Sequence, residues 1–306
     1  YLVLLANQIF NAHGDTKTAV LIMTAAITVN AILDPLLIFG WCGFPKMGVA
    51  GAAWATIIGW IFGMVLRVFF LRRRGYIPPL SEFLHVETHF WKRLLRIGTP
   101  TAASHLIWTS VYPLLTTLIT AFGMVPLAGM TIAHRFESMA YFTCLGFSIA
   151  TATLVGRAVG AGEPERARAI AYEARTLISW VLLPLAVLFV LTPEVFIRIM
   201  SDDPGVIAAG TSYLRVIGLF EIFLGWELIF EGGFNGLGNT RNYMYVSVPL
   251  TLGRYPAAYF LVKVMDMPVD AIWWCISLST LFKGIAMSLI FKRAQAADLG
   301  VVRPTG

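Results

Sequence analysis

The chain is a succession of apolar runs long enough to cross a bilayer, and this constrains its fold more than any motif does. From Ala19 to Gly40 the only ionisable residue is Asp34. Comparable runs recur at roughly 48–71, 96–122, 126–156, 168–199, 208–232, 242–264 and 270–291, each near or above the roughly 20 residues that a spanning helix needs. Inside a bilayer no water satisfies the backbone, and a helix does so internally. Composition agrees. Charged residues are only 13% and mean hydropathy is +0.74, against about 25% charged residues in a soluble domain. The expected fold is an all-α polytopic membrane protein, with about eight complete transmembrane helices plus part of a ninth. The part is the segment from Tyr1 to Ala12, too short to span and expected to be the end of a helix that starts upstream. On this reading the chain is a fragment.

The loops alternate in charge. One side carries Lys17, then Arg72, Arg73, Arg74, Lys92, Arg93 and Arg96, then Arg157, Arg166 and Arg168, then Arg241, and last Lys292 and Arg293. The other side carries Lys46, the pair Asp202 and Asp203, and Asp266 with Asp270, with only Arg198 and Lys263 as further cations. The positive-inside rule puts the first set in the cytoplasm, C-terminus included. The net charge of +6 follows from topology and needs no nucleic-acid partner. The connection around 75–95 is the longest. It holds Pro78, Pro79 and an amphipathic stretch from Phe83 to Trp91, expected to lie along the membrane surface between two bundles.

Within the first run, Asn30 and Asp34 are one helical turn apart on one face. Pro35 removes an N–H and frees the carbonyl of Ala31. A carboxylate, an amide and a free carbonyl inside a membrane are the raw material of a cation or proton site, and an intramembrane acid is a functional-site candidate by default.

An internal repeat is visible. Gly14-Asp15-Thr16-Lys17-Thr18 is echoed by Gly238-Asn239-Thr240-Arg241-Asn242, each a turn with a helix N-cap. Val49-Ala50-Gly51-Ala52-Ala53-Trp54 is echoed by Val269-Asp270-Ala271-Ile272-Trp273-Trp274. Both copies enter from the same side, as in transporters built of two like halves. The second half carries more charge within its spans. Arg135 and Glu137 are two residues apart, so each needs a partner on another helix. Glu221, Glu227 and Glu231 lie along one span and Arg254 lies in the middle of the next. In repeat register Glu231 corresponds to Asn7 and Arg254 to Asn30, and Arg254–Glu231 or Arg254–Glu227 is the expected ion pair. His105 is expected to be a satisfied core residue. Phe10, Trp60, Trp108, Tyr112, Phe136, Tyr141, Phe142, Phe223, Trp226 and Phe230 are candidates to line a cavity for flat cations.

With these residues on view, the chain resembles the multidrug and toxic compound extrusion (MATE) transporters. The resemblance rests on Asn7 with Gly14-Asp15-Thr16, on Asn30 with Leu33-Asp34-Pro35-Leu36-Leu37-Ile38-Phe39-Gly40, and on Gly48-Val49-Ala50-Gly51-Ala52-Ala53-Trp54-Ala55-Thr56. The later half adds Arg96-Ile97-Gly98-Thr99-Pro100, Ala150-Thr151-Ala152-Thr153-Leu154-Val155-Gly156-Arg157, Gly160-Ala161-Gly162 and Arg254-Tyr255-Pro256. The resemblance implies a two-lobe bundle. Residues 1–74 would be a remnant of the N-terminal lobe, 75–95 the inter-lobe connection, 96–295 the C-terminal lobe and 296–306 a cytoplasmic tail. It also implies a cation- or proton-coupling group made of Asp34, Asn30, Thr56 and Asn7, with Asp34 able to take Na⁺. Helix rise places Asp34 about 9 Å below the outer end of its span and Thr56 about 12 Å below the start of the next, while Asn7 comes out nearer the cytoplasmic side. The family's other carboxylate site needs an acid on the seventh helix. Here Gly98 to Phe122 has none, and its polar members are Ser104, His105, Trp108, Thr109 and Ser110.

The resemblance further implies a secondary antiporter that exports organic cations or amphiphiles against H⁺ or Na⁺ by alternating access, with no other cofactor. It would act as a monomer in the inner membrane, with the lipid bilayer and a small-molecule substrate as its partners. A lipid-linked oligosaccharide flippase of the same superfamily is the alternative, and it should show a cationic lumen. No enzyme is expected. Cys42, Cys144 and Cys275 have no metal-ligand spacing, Gly160-Ala161-Gly162 lacks the Lys and Ser/Thr of a nucleotide loop, and no nucleophile motif is present.

Overall fold

The computed structural model describes residues 2–76 and 88–293, and their regular structure is helical throughout. The chain divides into two compact units, Tyr1–Thr88 and His89–Gly306.

The first unit comprises α1 (Leu2–Ala12), α2 (Thr16–Phe39), a 3-10 turn at Trp41–Gly43 and α3 (Val49–Arg73). Asp15 starts α2 by accepting the Thr18 N–H at 3.3 Å, and it pairs with Arg74 at 2.6 Å. This ties the α1–α2 turn to the end of α3. The second copy differs, because Asn239 holds the N-cap position without a side-chain cap bond. α2 runs through Pro35 and stops at Gly40, whose φ of +77° suits glycine. The last carbonyls of α2 are taken by Met47 N–H on Leu37 and Gly48 N–H on Ile38. α3 then packs back on α2 along Gly51, Ala55, Gly59 and Gly63, all buried and four apart. A Cβ on Gly51 would overlap the Leu37 carbonyl, and one on Gly59 would lie 3.1 Å from both the Ala26 oxygen and the Asn30 Cβ. Small residues at this seam let the two backbones meet, the usual means of association where lipid removes the hydrophobic drive.

The second unit comprises α4 (Thr88–Thr120), α5 (Met124–Gly160), α6 (Pro164–Leu191), α7 (Pro193–Arg198), α8 (Pro204–Leu237), α9 (Thr240–Leu252), α10 (Arg254–Tyr259), a π-helical turn at Phe260–Val264 and α11 (Asp270–Arg293). Among the described residues six helices, α2, α3, α5, α6, α8 and α11, are long and apolar enough to cross a membrane. α4 has 33 residues.

The segment expected to span 242–264 is not one helix. Pro249 and Pro256 lack the N–H groups that would bond the carbonyls of Tyr245 and Leu252, and the helix breaks at Gly253 between α9 and α10. The run 168–199 is likewise divided, by Pro193 at the start of α7. Of the expected surface stretch, 83–87 lies outside the described residues, and Thr88 to Trp91 belong to α4. The tail from 296 also lies outside them.

α5 and α8 run parallel. Gly129 meets Gly210, Gly232 meets the Ser148 carbonyl and Gly236 meets that of Ala152. α11 is parallel to α8 as well, through Gly284 on Phe223 and Gly233 on Phe291. α8 and α11 are the most enclosed spans, 50% of the α11 window being buried against 11% for α2. Glu221, Glu227 and Glu231 on α8 and Ser279, Thr280 and Lys283 on α11 are buried in protein. The main core gathers Leu115, Ala133, Phe189, Tyr213, Ile272 and Trp273. Large apolar side chains such as Leu21, Trp60, Trp180, Leu191 and Phe282 remain exposed, as befits helices solvated by lipid.

Candidate functional site

In the first unit the candidate group lies along the α2–α3 seam. Asn30 is level with Gly59 and Leu37 with Gly51. Asp34 therefore falls between them, near the level of Ala55 and Thr56. It is half-buried. The Asn30 Nδ2 is buried without a hydrogen-bond partner. Thr56 is exposed, and its hydroxyl donates to its own helix, to the Ala52 carbonyl at 2.9 Å. Among the described residues no three His, Cys, Asp or Glu side chains converge as a metal site, so a Na⁺ at Asp34 would draw its other ligands from carbonyl, amide or hydroxyl oxygens.

Asn7 does not belong to this group. Its Oδ1 accepts from Arg67 Nε at 2.9 Å, and Arg67 lies eleven residues beyond Thr56 on α3, a rise of about 16 Å. Arg67, 3% exposed, is a buried cation that sequence reading passed over. Its signal was its place in the four-residue series Gly51, Ala55, Gly59, Gly63, the face that α3 turns inward.

The second unit encloses a cavity of about 250 Å³, close to the lower end of the range for small-molecule sites, which begins near 300 Å³. Four carboxylates line it, Glu137 from α5 and Glu221, Glu227 and Glu231 from α8, each buried. They are held differently. Glu137 Oε2 accepts from the Tyr213 hydroxyl at 2.8 Å and lies 2.9 Å from His134 Nδ1. Glu231 lies 3.3 Å from Nε2 of His105, which is exposed at the cavity edge and not a core residue. Glu227 Oε1 receives the Lys283 ammonium at 2.5 Å, with Lys283 1% exposed. Glu221 has neither oxygen bonded, and the second oxygen of Glu227 is also without a partner.

The expected Arg254–glutamate pair is absent. Arg254 sits at the helix break, directly after Gly253, and its guanidinium reaches α11. Nε donates to Ser279 Oγ at 2.5 Å and Nη2 to Thr280 Oγ1 at 2.9 Å. Both hydroxyls donate onward to the Ile276 carbonyl. Glu227 and Glu231 are taken instead by Lys283 and His105. A second correction concerns Arg135, which is exposed on α5 and not a buried charge, because its neighbours Ala133, Glu137 and Ala140 define the inward face.

Lys283 and His134 were missed from the sequence. Lys283 was legible as a lone cation within the last span, three residues after Thr280 on a face of small and hydroxyl residues. His134 lies three residues before Glu137, a spacing that allows contact. Of the expected aromatic lining, Trp108, Tyr112, Tyr141 and Phe142 face the cavity, joined by Phe220. Trp108 stacks on Tyr141 with ring centres 6.2 Å apart. Phe10 and Phe230 are packed in cores, and Trp60 is on the outer surface. Phe136 packs on Phe196, and Trp226 carries the Arg175 guanidinium at 4.9 Å.

Four acids line the cavity with Arg254, Lys283 and two histidines, so carboxyl groups outnumber the Arg and Lys side chains there, and it offers flat aromatic walls. Comparisons with known proteins give the family. The MatE family model matches residues 100–260. A probable multidrug resistance protein NorM of Thermotoga maritima is 30% identical over 286 residues, 91% of this chain and 60% of that protein. An FAD transporter of Shewanella oneidensis is 26% identical, over 95% of this chain and 65% of that one. In fold, the chain is similar to a Vibrio cholerae MATE transporter, with a TM-score of 0.86 at 20% identity, over 95% of this chain and 65% of that one. The chain thus spans about three fifths to two thirds of the length of these relatives. With more than half of its residues matched by the family model, this multi-pass membrane protein belongs to the MatE family, the multidrug and toxic compound extrusion transporters.

Proposed function

We propose that the protein is a secondary antiporter that exports organic cations or cationic amphiphiles in exchange for H⁺ or Na⁺, by alternating access. One observation carries the reading. Glu221 is 1% exposed, lines the cavity and has no partner for either oxygen. A buried carboxylate is costly unless a cation or a proton joins it. An organic cation would set its charge on Glu221 and its flat body against Trp108 and Tyr141, where ring faces attract cations. The naming of the Thermotoga relative as a probable multidrug resistance protein supports this class of substrate. A flippase for anionic lipid-linked sugars would call for a cationic lumen, and here Arg254 is committed to hydroxyls, Lys283 to Glu227, and acids are in excess.

Coupling is assigned to Asp34. It is a lone carboxylate beside the unsatisfied amide of Asn30, and a cation or proton arriving there removes an uncompensated charge. Thr56, at the same level, is a further ligand if its hydroxyl leaves the Ala52 carbonyl. The loop charges support a plasma-membrane orientation with the turns near Arg73, Arg166 and Arg241 and the C-terminus on the cytoplasmic side.

The test is ethidium transport in proteoliposomes, with the protein expressed from its natural gene and a pH or Na⁺ gradient imposed. Asp34→Asn should abolish the dependence of transport on the gradient, and Glu221→Gln should abolish ethidium movement, with both variants monodisperse in detergent. Unchanged gradient-driven transport in both variants would refute the reading.

A further inference from the structure

Lys283 places an ammonium inside a cavity that is otherwise suited to a diffusible cation. It comes from α11, is 1% exposed and approaches Glu227 Oε1 at 2.5 Å. No other hydrogen bond of its ammonium is formed among the described residues. The other Glu227 oxygen and both oxygens of Glu221 are buried without partners, so the acidic wall still has acceptor capacity. The second cation of the cavity does not compete for it, because the Arg254 fork is fixed on Ser279 and Thr280. A Lys head is a compact charge on a flexible stem and, unlike an Arg fork, needs no fixed geometry. In charge and size it is the equivalent of a monovalent cation attached to the chain.

We propose that Lys283 is a tethered cation. Its ammonium fills the cation position on Glu227, so that the second unit holds no exchangeable metal ion there and leaves Glu221 as the carboxylate open to a diffusible one. The proposal concerns equilibrium binding of small cations and goes beyond the transport reading, which can fail without it. Deleting the tether should turn the position into a site for Na⁺ or for a primary alkylammonium. Na⁺ gathers several oxygens, and both oxygens of Glu227 face the vacated position once the ammonium has gone. n-Propylammonium replaces the Cγ-to-Nζ atoms that Lys283→Ala removes.

The experiment measures ²²Na⁺ binding and thermal stability of the purified protein, expressed from its natural gene. Lys283→Gln should gain a saturable Na⁺ component absent from the wild type, and Glu227→Gln added to it should abolish that component. Any Na⁺ bound at Asp34 is common to all three proteins and cancels in the comparison. Lys283→Ala, purified with and without n-propylammonium, covers the case in which Lys283→Gln does not fold. Recovery of stability with n-propylammonium but not with the bulkier tetramethylammonium supports the tether. Equal Na⁺ binding in wild type and Lys283→Gln, or a Lys283→Ala protein that no cation recovers, overturns it.

Discussion

The two units place different electrostatics on related helices. Where the first has Asn7 and Asn30, the second has Glu231 and Arg254. Where α3 presents Gly51, Ala55, Gly59 and Gly63 to α2, the matching positions of α11 are Ala271, Cys275, Ser279 and Lys283. In the first unit that face is used for backbone contact, with Gly59 against Asn30 and Gly63 against Ala26. In the second it supplies a hydroxyl to Arg254 and an ammonium to Glu227. The reverse holds for Asp34. Its counterpart is Ala258, fully buried in the core. One helical frame thus gives a sparse polar seam with a single acid in one copy and an acidic cavity in the other. The difference teaches that side-chain size at a seam decides whether two helices touch or leave room for a site.

The sharpest way to break this comparison is to remove the ammonium. Lys283→Met strands Glu227 in the second unit, and breaking a buried pair costs about 3–5 kcal/mol. Glu227→Gln added to it should restore most of the loss in a thermal melt of the detergent-solubilised protein. A single variant as stable as wild type would mean that the pair is not buried in the membrane-embedded protein. Arg254→Ala should cost less, about 1–3 kcal/mol, because Ser279 and Thr280 keep their bonds to the Ile276 carbonyl. Neither Glu227→Gln nor Glu231→Gln should rescue it. Rescue by either would reinstate the pairing that the structure replaces.

In the first unit, Gly59→Ala tests the seam itself. The new methyl must displace Asn30 or the Ala26 carbonyl, and overpacking of this kind costs about 1–3 kcal/mol. A neutral result would show that α2 and α3 separate at no cost and that the seam is not tight. The smallest effect belongs to Arg135→Gln, which should stay within about 0.5 kcal/mol of wild type as an exposed change. A large loss of stability would place Arg135 in a network that the described residues do not form.

Much of the fold was legible, because each long apolar run has few ways to satisfy its backbone. The division of 242–264 at Gly253 was less so. Pro249 and Pro256 mark it, but a hydropathy profile is blind to a missing N–H. The candidate sites were legible in kind and not in wiring. Asp34 and Asn30 stood out as polar residues one turn apart in an apolar run, and Glu137, Glu221, Glu227 and Glu231 as acids inside spans. Partner choice was out of reach because it is set between helices. Arg254 was assigned a carboxylate by charge, while its guanidinium is held by two hydroxyls on α11. Asn7 was grouped with Asp34 by family resemblance, while Arg67, one more residue in the inward series of α3, engages it well below the level of Thr56.

The central claim is that the two units divide the work, with the acidic cavity holding the organic cation and Asp34 holding the coupling ion. Equilibrium binding of radiolabelled tetraphenylphosphonium to the purified protein tests it most directly, with no gradient and no turnover. Glu221→Gln should lose binding while Asp34→Asn, at the same pH and Na⁺ concentration, retains it. Wild-type binding in Glu221→Gln, or loss in Asp34→Asn alone, would contradict the account and move the substrate site to the first unit.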